Sequence, residues 1–384
     1  MKSWADTRAI TGGEKALQRR EPLWQRVHID PWLLLLVLTL AGVAGFVLYS
    51  ASSMSMAMLY RQGAAYAVGI AVMLVVAQFQ PRFMQRWVPF AYVGGLLLLI
   101  AVLVIGVQAK GAQRWLSIPG VMRFQPSEIM KLIMPMTVAW YLARRELPPN
   151  FKYVCCSLLI IGLPVLLILK QPDLGTSLLI ASSGIFALLL AGLRWRYIIG
   201  AAVLLVPAGA GMWFFGMHTY QKTRVLTFLN PESDPLGAGW NIIQSKAAIG
   251  SGGVLGKGWL QGTQSHLDFL PEGHTDFIIA ALAEEFGMVG VCLLLVVYLL
   301  IVLRGLYIAQ HAHDNFSKLL AGSVTLTFFV YVFVNIGMVS GLLPVVGVPL
   351  PLISYGGTSL VTLLAGFGIL MSIHTHHKWM AQGR

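Results

Sequence analysis

Long uninterrupted runs of apolar residues dominate this chain and limit what it can fold into. About 20 helical residues cross a hydrocarbon core of roughly 30 Å, and a spanning segment must satisfy its own backbone hydrogen bonds. The runs cover residues 32–50, 63–79, 87–107, 126–143, 153–169, 174–192, 197–217, 274–304, 317–342 and 351–373. The chain is therefore predicted to be an all-α polytopic membrane protein with ten transmembrane helices.

Charge placement predicts the orientation of these helices. Charged residues make up only 11% of the chain, whereas soluble domains contain about a quarter. Lys and Arg are concentrated in the N-terminal segment and in alternate connections, which predicts that both termini are cytoplasmic. The net charge of +12 then reflects topology and attraction to anionic lipid, and it gives no indication of nucleic-acid binding.

The predicted domain organisation follows from the spans. Residues 1–31 form a cytoplasmic tail, residues 32–377 the ten-helix membrane domain, and residues 378–384 a cytoplasmic end. The tail lacks the cleavage site of a signal peptide, so the first span is expected to be retained. A large extracytoplasmic loop, 218–273, separates the seventh and eighth helices, and such length favours a functional loop. Within it, residues 240–249 are predicted to form an amphipathic helix.

Several ionisable residues occur where a membrane protein rarely tolerates them. Glu128 and Lys131 open the fourth span, three residues apart on one helix face, and form either a structural ion pair or part of a polar cavity. Arg114 and Arg123 lie in the preceding outer loop, 108–125, and with Lys131 would give a cationic patch suited to pyrophosphate. Asp173, before the sixth helix, is expected to be a helix cap or a site residue.

Asp276 is the leading candidate for chemistry, because it lies where the long polar loop meets a strongly apolar helix. Glu284 and Glu285 follow on the same helix, and at 100° per residue only Glu284 approaches the Asp276 side. A break rich in Pro, Gly and Ser, 344–359, precedes the tenth span and predicts either a cavity wall or close helix packing. The cysteines, Cys155, Cys156 and Cys292, fall within apolar spans and are predicted to be buried thiols.

Several segments together resemble the SEDS family (shape, elongation, division and sporulation proteins), and favour its elongation branch. The matching segments are Gly111-Ala112-Gln113-Arg114-Trp115, Arg123-Phe124-Gln125-Pro126-Ser127-Glu128, Gln171-Pro172-Asp173-Leu174-Gly175-Thr176, 230–239, Gln244-Ser245-Lys246, 250–259, 269–277, 344–357 and 371–376. The resemblance runs from about residue 23 to residue 378, and no single motif carries it alone.

The resemblance implies a peptidoglycan glycosyltransferase of the bacterial inner membrane that polymerises lipid II during cell elongation and maintains cell shape. The essential aspartate of the family corresponds to Asp276, and residues important for activity correspond to Arg114, Arg123, Glu128 and Lys131. Lys246, in a matching segment, joins this substrate-binding set. The implied partners are a class B penicillin-binding protein, which crosslinks the strands, and other elongation proteins.

The resemblance also implies an α-linked donor and a β-linked product, so an inverting transfer is the expected chemistry. It needs one general base, assigned to Asp276, and cations for the departing pyrophosphate, assigned to Arg114, Arg123 and Lys131. A retaining mechanism would need a second carboxylate as nucleophile. A divalent cation, Mg²⁺ or Mn²⁺, could assist, although no metal-ligand cluster is evident. The alternatives are a lipid II flippase or transporter, and a non-catalytic membrane scaffold.

Overall fold

The computed structural model describes residues 27–109, 112–118, 122–216, 239–263 and 273–382, together with positions 24, 222 and 226. The predicted tail, up to residue 23, and most of the predicted loop 218–273 lie outside these residues. The helices are α1 (Pro31–Ala51), α2 (Met56–Gln78), α3 (Pro81–Ile105), α4 (Pro126–Ala143), α5 (Phe151–Lys170), α6 (Leu174–Leu190), α7 (Trp195–Gly211), α8 (Trp240–Gly252), α9 (Ile278–Gln310), α10 (Asn315–Val339) and α11 (Gly357–Gln382).

A helix occupies each predicted hydrophobic span, and α8 confirms the predicted helix in the long loop. Eight of the described helices are long and apolar enough to cross a membrane. The two others that match predicted spans are α4, with 18 residues, and α6, an apolar helix of 17 residues. A helical membrane fold is therefore confirmed, and the count of ten crossings stays a prediction.

Helix ends follow from local chemistry. Asp30 caps α1 by accepting a hydrogen bond from the Trp32 backbone N–H at 3.1 Å, and Asp314 caps α10 through the Ser317 N–H at 3.0 Å. Pro31, Pro81 and Pro126 stand at the starts of α1, α3 and α4, where a missing N–H costs nothing.

The all-α prediction missed a small antiparallel sheet between α3 and α4. Its strands are β1 (Val107–Ala109), β2 (Ala112–Ile118) and β3 (Met122–Phe124), in the order β1-β2-β3. Ser117 pairs with Arg123 across β2 and β3. β1 and β3 have three residues each, and the seven residues of β2 do not alternate strictly between apolar and polar, so the sequence predicted only a loop here. The sheet matters because it carries Arg114.

The three cysteines correct another prediction, because none is buried. Cys155 is half-buried, whereas Cys156 and Cys292 are exposed on the outside of the bundle. A peripheral transmembrane helix has an apolar face toward lipid as well as an apolar face toward protein. An apolar span therefore does not distinguish a buried thiol from one that faces lipid.

The segment 340–356 is irregular backbone held inside the bundle by side chains of three helices. Tyr66 donates a hydrogen bond to the carbonyl of Leu352, and Tyr298 donates to that of Pro351 at 2.7 Å. Gln62 donates to the Ser354 carbonyl at 3.2 Å. From α10, Asn335 donates to the Val348 carbonyl at 2.7 Å. Side chains of α2, α9 and α10 thus satisfy carbonyls that have no partner in a helix or strand. The predicted break before the last helix is thus confirmed, and its residues 350–354 are buried.

Helix α9 is interrupted at Gly287, where φ is 64° and ψ −163°. The glycine-rich segment 253–258 docks on this interruption through backbone hydrogen bonds. Lys257 N–H donates to the Glu284 carbonyl at 3.0 Å, and Met288 N–H donates to the Gly253 carbonyl at 3.0 Å. The interruption therefore anchors the part of the long loop that follows α8.

Gly256→Ala is expected to undock this segment. Gly256 has φ +80°, and a Cβ there would overlap the Glu285 carbonyl oxygen. The left-handed conformation alone costs an alanine about 1–2 kcal/mol. We expect a lower unfolding temperature in detergent and faster amide hydrogen exchange over 253–263. The matched control is Gly250→Ala, because Gly250 lies in α8 with open space around it, and that change is expected to be neutral or stabilising. Equal behaviour of the two variants would contradict the docking.

Candidate active site

Asp276 lies in the turn 273–277, two residues before the start of α9, and its side chain is partly exposed. The turn is fixed from outside. The Tyr355 N–H donates to the His274 carbonyl at 3.0 Å, and the Ser354 hydroxyl donates to the Thr275 carbonyl at 2.5 Å. The Asp276 carboxylate faces Gly347, where a Cβ would lie 3.5 Å from Oδ2. The candidate base is therefore held against the irregular segment 340–356.

A cavity of about 460 Å³ has Gly347 in its lining, whereas Asp276 is not among the described residues that line it. It brings together Arg114 from β2, Glu128 and Lys131 from α4, and Asp173 from the turn before α6. The wall beside Asp276 is formed by Gly347, Val348 and Pro349, and the remaining polar lining comes from Gln125, Thr176, Thr358 and Ser359. Residues far apart in the sequence thus meet at one polar site.

Glu128 and Lys131 form a buried ion pair and also line the cavity, and their role toward substrate stays a prediction. Lys131 Nζ donates to Glu128 Oε1 at 2.7 Å, with both residues less than a tenth exposed. The ammonium also lies 5.1 Å from the ring centroid of Tyr331, within the range of a cation–π contact. Glu128 Oε2 has no hydrogen-bond partner in the described structure. This oxygen is itself buried, so Lys131 is the described partner that compensates the carboxylate.

Asp173 is both a helix cap and half of a second ion pair. Its Oδ1 accepts a hydrogen bond from the Thr176 N–H at 3.2 Å, which caps α6. Its Oδ2 lies 3.7 Å from Arg114 Nε and accepts from Gln125 Nε2 at 3.2 Å. Arg114 also donates to the carbonyls of Gln171 and Pro172. The guanidinium therefore holds this turn in place. A third of the Arg114 side chain remains exposed, and Arg114 lines the cavity.

The described lining is electrically balanced. Arg114 and Lys131 supply two positive charges, and Glu128 and Asp173 supply two negative ones. The predicted cationic patch therefore depends on Arg123, whose side chain lies outside the described residues. The backbone of Arg123 belongs to β3, beside the strand that carries Arg114. An excess of positive charge at this rim stays a prediction.

Lys246 is not among the described residues that line the cavity. It lies in α8, and its ammonium end packs over Gly341, just beyond the C-terminal end of α10. The neighbouring Ser245 hydroxyl donates to the Val339 carbonyl at 2.9 Å, which joins α8 to α10. A lysine at a helix C-terminus is favoured by the helix dipole. The geometry therefore gives Lys246 a structural explanation, and its substrate-binding role stays a prediction.

Glu284 has a role that sequence reasoning missed. It is fully buried, and its Oε1 accepts hydrogen bonds from Lys257 Nζ at 2.7 Å and from the Thr263 N–H at 2.8 Å. A buried carboxylate is stabilised only when it is paired, and here its partners come from the long loop. Glu284 thus anchors the loop to the same helix that Asp276 precedes. No local pattern links Glu284 to residues 257 and 263.

The described residues do not form a protein-built metal site. They include no group of three or more His, Cys, Asp or Glu side chains that could hold a metal ion. The two carboxylates that line the cavity are each beside a cation, Lys131 or Arg114. Protein cages for divalent cations need several oxygen ligands. The described residues therefore form no protein cage for Mg²⁺ or Mn²⁺, and the expected help from a divalent cation stays a prediction.

Long apolar helices around a cavity lined by two ion pairs define a polytopic membrane protein with a site for a polar ligand. The family model described as "Cell cycle protein", FTSW_RODA_SPOVE, matches residues 31–379. The chain belongs to this family, which confirms the resemblance seen in its sequence.

Individual proteins agree with this assignment. "Peptidoglycan glycosyltransferase MrdB" of Escherichia coli (strain K12) is 54% identical over 364 residues, which cover 94% of this chain and 98% of that relative. The solved structure of Thermus thermophilus "Rod shape determining protein RodA" matches with a TM-score of 0.68 and 28% identity, over 90% of this chain and 96% of that one.

A further solved structure concerns an assembly. It is described as "Structural coordination of polymerization and crosslinking by a peptidoglycan synthase complex". One of its chains matches with a TM-score of 0.81 and 30% identity, over 91% of this chain and 98% of that one.

Proposed function

We propose that this chain is a peptidoglycan glycosyltransferase that polymerises lipid II into glycan strands during cell elongation. The observation that carries the proposal is the identity of 54% to a peptidoglycan glycosyltransferase over nearly the whole of both chains. At that level of similarity the cavity and the turn of Asp276 are expected to serve the same reaction.

The reaction joins two lipid-linked sugars. The 4-hydroxyl of the acceptor GlcNAc attacks C1 of the donor sugar, and the bond from C1 to the undecaprenyl pyrophosphate oxygen breaks. The hydroxyl proton passes to Asp276, which acts as general base late in bond formation. The departing pyrophosphate carries the developing negative charge, which Arg114 and Lys131, with Arg123, stabilise.

The ion pairs support inversion at C1. A retaining enzyme needs a second carboxylate free to attack the sugar. Glu128 is hydrogen-bonded to Lys131, and Asp173 caps α6 beside Arg114. Neither carboxylate is arranged as a nucleophile, so a single displacement assisted by Asp276 is the simpler mechanism.

The membrane arrangement and the partner belong to the same proposal. All ten spans cross the inner membrane, both termini are cytoplasmic, and the loop 218–273 is extracytoplasmic. A class B penicillin-binding protein crosslinks the strands made here, and other elongation proteins join the assembly. The match to a chain of a peptidoglycan synthase complex supports such a partner.

The competing function is a lipid II flippase, and product release distinguishes the two. Each transfer liberates one undecaprenyl pyrophosphate, whereas translocation liberates none. Purified protein in detergent is incubated with lipid II, with and without the partner and with Mg²⁺, Mn²⁺ or a chelator. Release of undecaprenyl pyrophosphate is expected from the wild type. Its absence in every condition, together with translocation of fluorescent lipid II in proteoliposomes, would favour the flippase.

A further inference from the structure

Asn335 is a fully buried amide near the C-terminal end of α10. Its Nδ2 donates one hydrogen bond to the Asp276 carbonyl at 2.8 Å and one to the Val348 carbonyl at 2.7 Å. An amide nitrogen of this kind has two hydrogens, so both are used. Its acceptors lie in two different non-helical segments, which this side chain fastens to each other and to α10.

Both fastened segments border the candidate base. Val348 follows Gly347, the residue that faces the Asp276 carboxylate, and both line the cavity that contains Arg114 and Lys131. Asn335 joins the segment of Asp276 to the segment of Val348. It therefore sets the position of the Asp276 carboxylate relative to this cavity wall.

The tether acts on Asp276 itself, whereas neighbouring tethers act on the residues before it. Tyr355 N–H and the Ser354 hydroxyl hold the carbonyls of His274 and Thr275. Asn335 completes the series at Asp276. A general base has to lie within hydrogen-bond reach of the proton that it removes. If the Asp276 backbone were not held, the carboxylate would move out of this range.

We infer that Asn335 is a positioning residue for glycosyl transfer, which fixes the Asp276 backbone so that the carboxylate meets the acceptor hydroxyl. The inference rests on the proposed function. Serine and threonine offer one donor each, and lysine or arginine would bring a charge into a fully buried place. A short primary amide is the side chain that supplies two neutral donors from one atom.

A plain packing role for Asn335 makes a different prediction. Loss of a buried hydrogen-bonding group lowers stability wherever it occurs, and activity would then fall only as folded protein is lost. A positioning role lowers kcat in protein that is still folded and leaves lipid II binding intact. The split between kcat and KM therefore separates the two roles.

The test compares Asn335→Ala with Ser323→Ala. Ser323 is a matched control, because it is also fully buried on α10 and its hydroxyl donates to the Ser183 carbonyl of α6 at 2.5 Å, outside the cavity lining. Initial rates of polymerisation are measured against lipid II concentration with equal amounts of folded protein. Asn335→Ala is expected to lose about 100-fold in kcat, the size of a small misplacement of a catalytic group, with KM nearly unchanged.

Asn335→Ser keeps one donor and is expected to lie between Asn335→Ala and the wild type in kcat; it also serves if the alanine variant does not fold. An unchanged kcat in folded Asn335→Ala, or an equal loss in Ser323→Ala, would overturn the inference. Failure of the proposed function would look different, since the wild type would then form no polymer at all.

Discussion

Asp276→Asn is expected to lower the rate of lipid II polymerisation about 1,000-fold, within the range that general base catalysis contributes. The change keeps the shape of the side chain and removes its ability to accept a proton. The Asp276 carbonyl, which Asn335 holds, is unaffected, so the turn stays in place. Initial rates with labelled lipid II measure the loss, and KM is expected to change little because the cations proposed to bind the pyrophosphate remain.

Asp276→Glu is the control for proximity. It keeps a carboxylate but lengthens the side chain by one methylene, which moves the carboxylate away from the position it takes facing Gly347. Activity is expected to stay above that of Asp276→Asn and below that of the wild type. More than a tenth of wild-type activity in folded Asp276→Asn would remove this carboxylate from the chemistry.

Lys131→Met is expected to have the largest effect on stability. The change leaves Glu128 as a buried charge without its partner, and breaking a buried ion pair costs about 3–5 kcal/mol. Both residues lie within α4, less than a tenth exposed. The predicted result is a marked fall in unfolding temperature, measured by thermal unfolding in detergent, together with loss of activity.

The double variant Glu128→Gln with Lys131→Met separates charge from packing. Removing both charges eliminates the uncompensated carboxylate, so most of the lost stability is expected to return. Activity is not expected to return, because the cavity loses one of its cations and one of its acceptors. Similar stability of the single and double variants would mean that the pair does not stabilise α4.

Helices could be predicted from the sequence because hydrocarbon leaves few alternatives for a long apolar run. The break in α9 could not be predicted, since nothing near Gly287 in the sequence distinguishes it from Gly290, which stays helical. The positive φ of Gly287 is needed only because the distant segment 253–258 docks there. The sheet around Arg114 was missed because β1 and β3 have only three residues each and β2 lacks a strict apolar–polar alternation.

Some contacts of the candidate site could likewise be predicted from the sequence, and others could not. The Glu128–Lys131 pair was predictable because a spacing of three places both residues on one helix face. The contact of Arg114 with Asp173 was not, because it depends on how the sheet meets the turn before α6. Asn335 gave no signal, since a single amide in an apolar helix resembles any other buried polar residue until its partners are known.

The most direct test of glycosyl transfer is the linkage of the product made by purified wild-type protein from labelled lipid II in detergent. Strand length is read on a gel, and the strands are then digested with a muramidase specific for β-1,4 linkages. Long strands that this enzyme degrades completely are the predicted result, because an inverting transfer from an α-linked donor gives β linkages. Strands that resist digestion, or no strands even with the partner present, would contradict it.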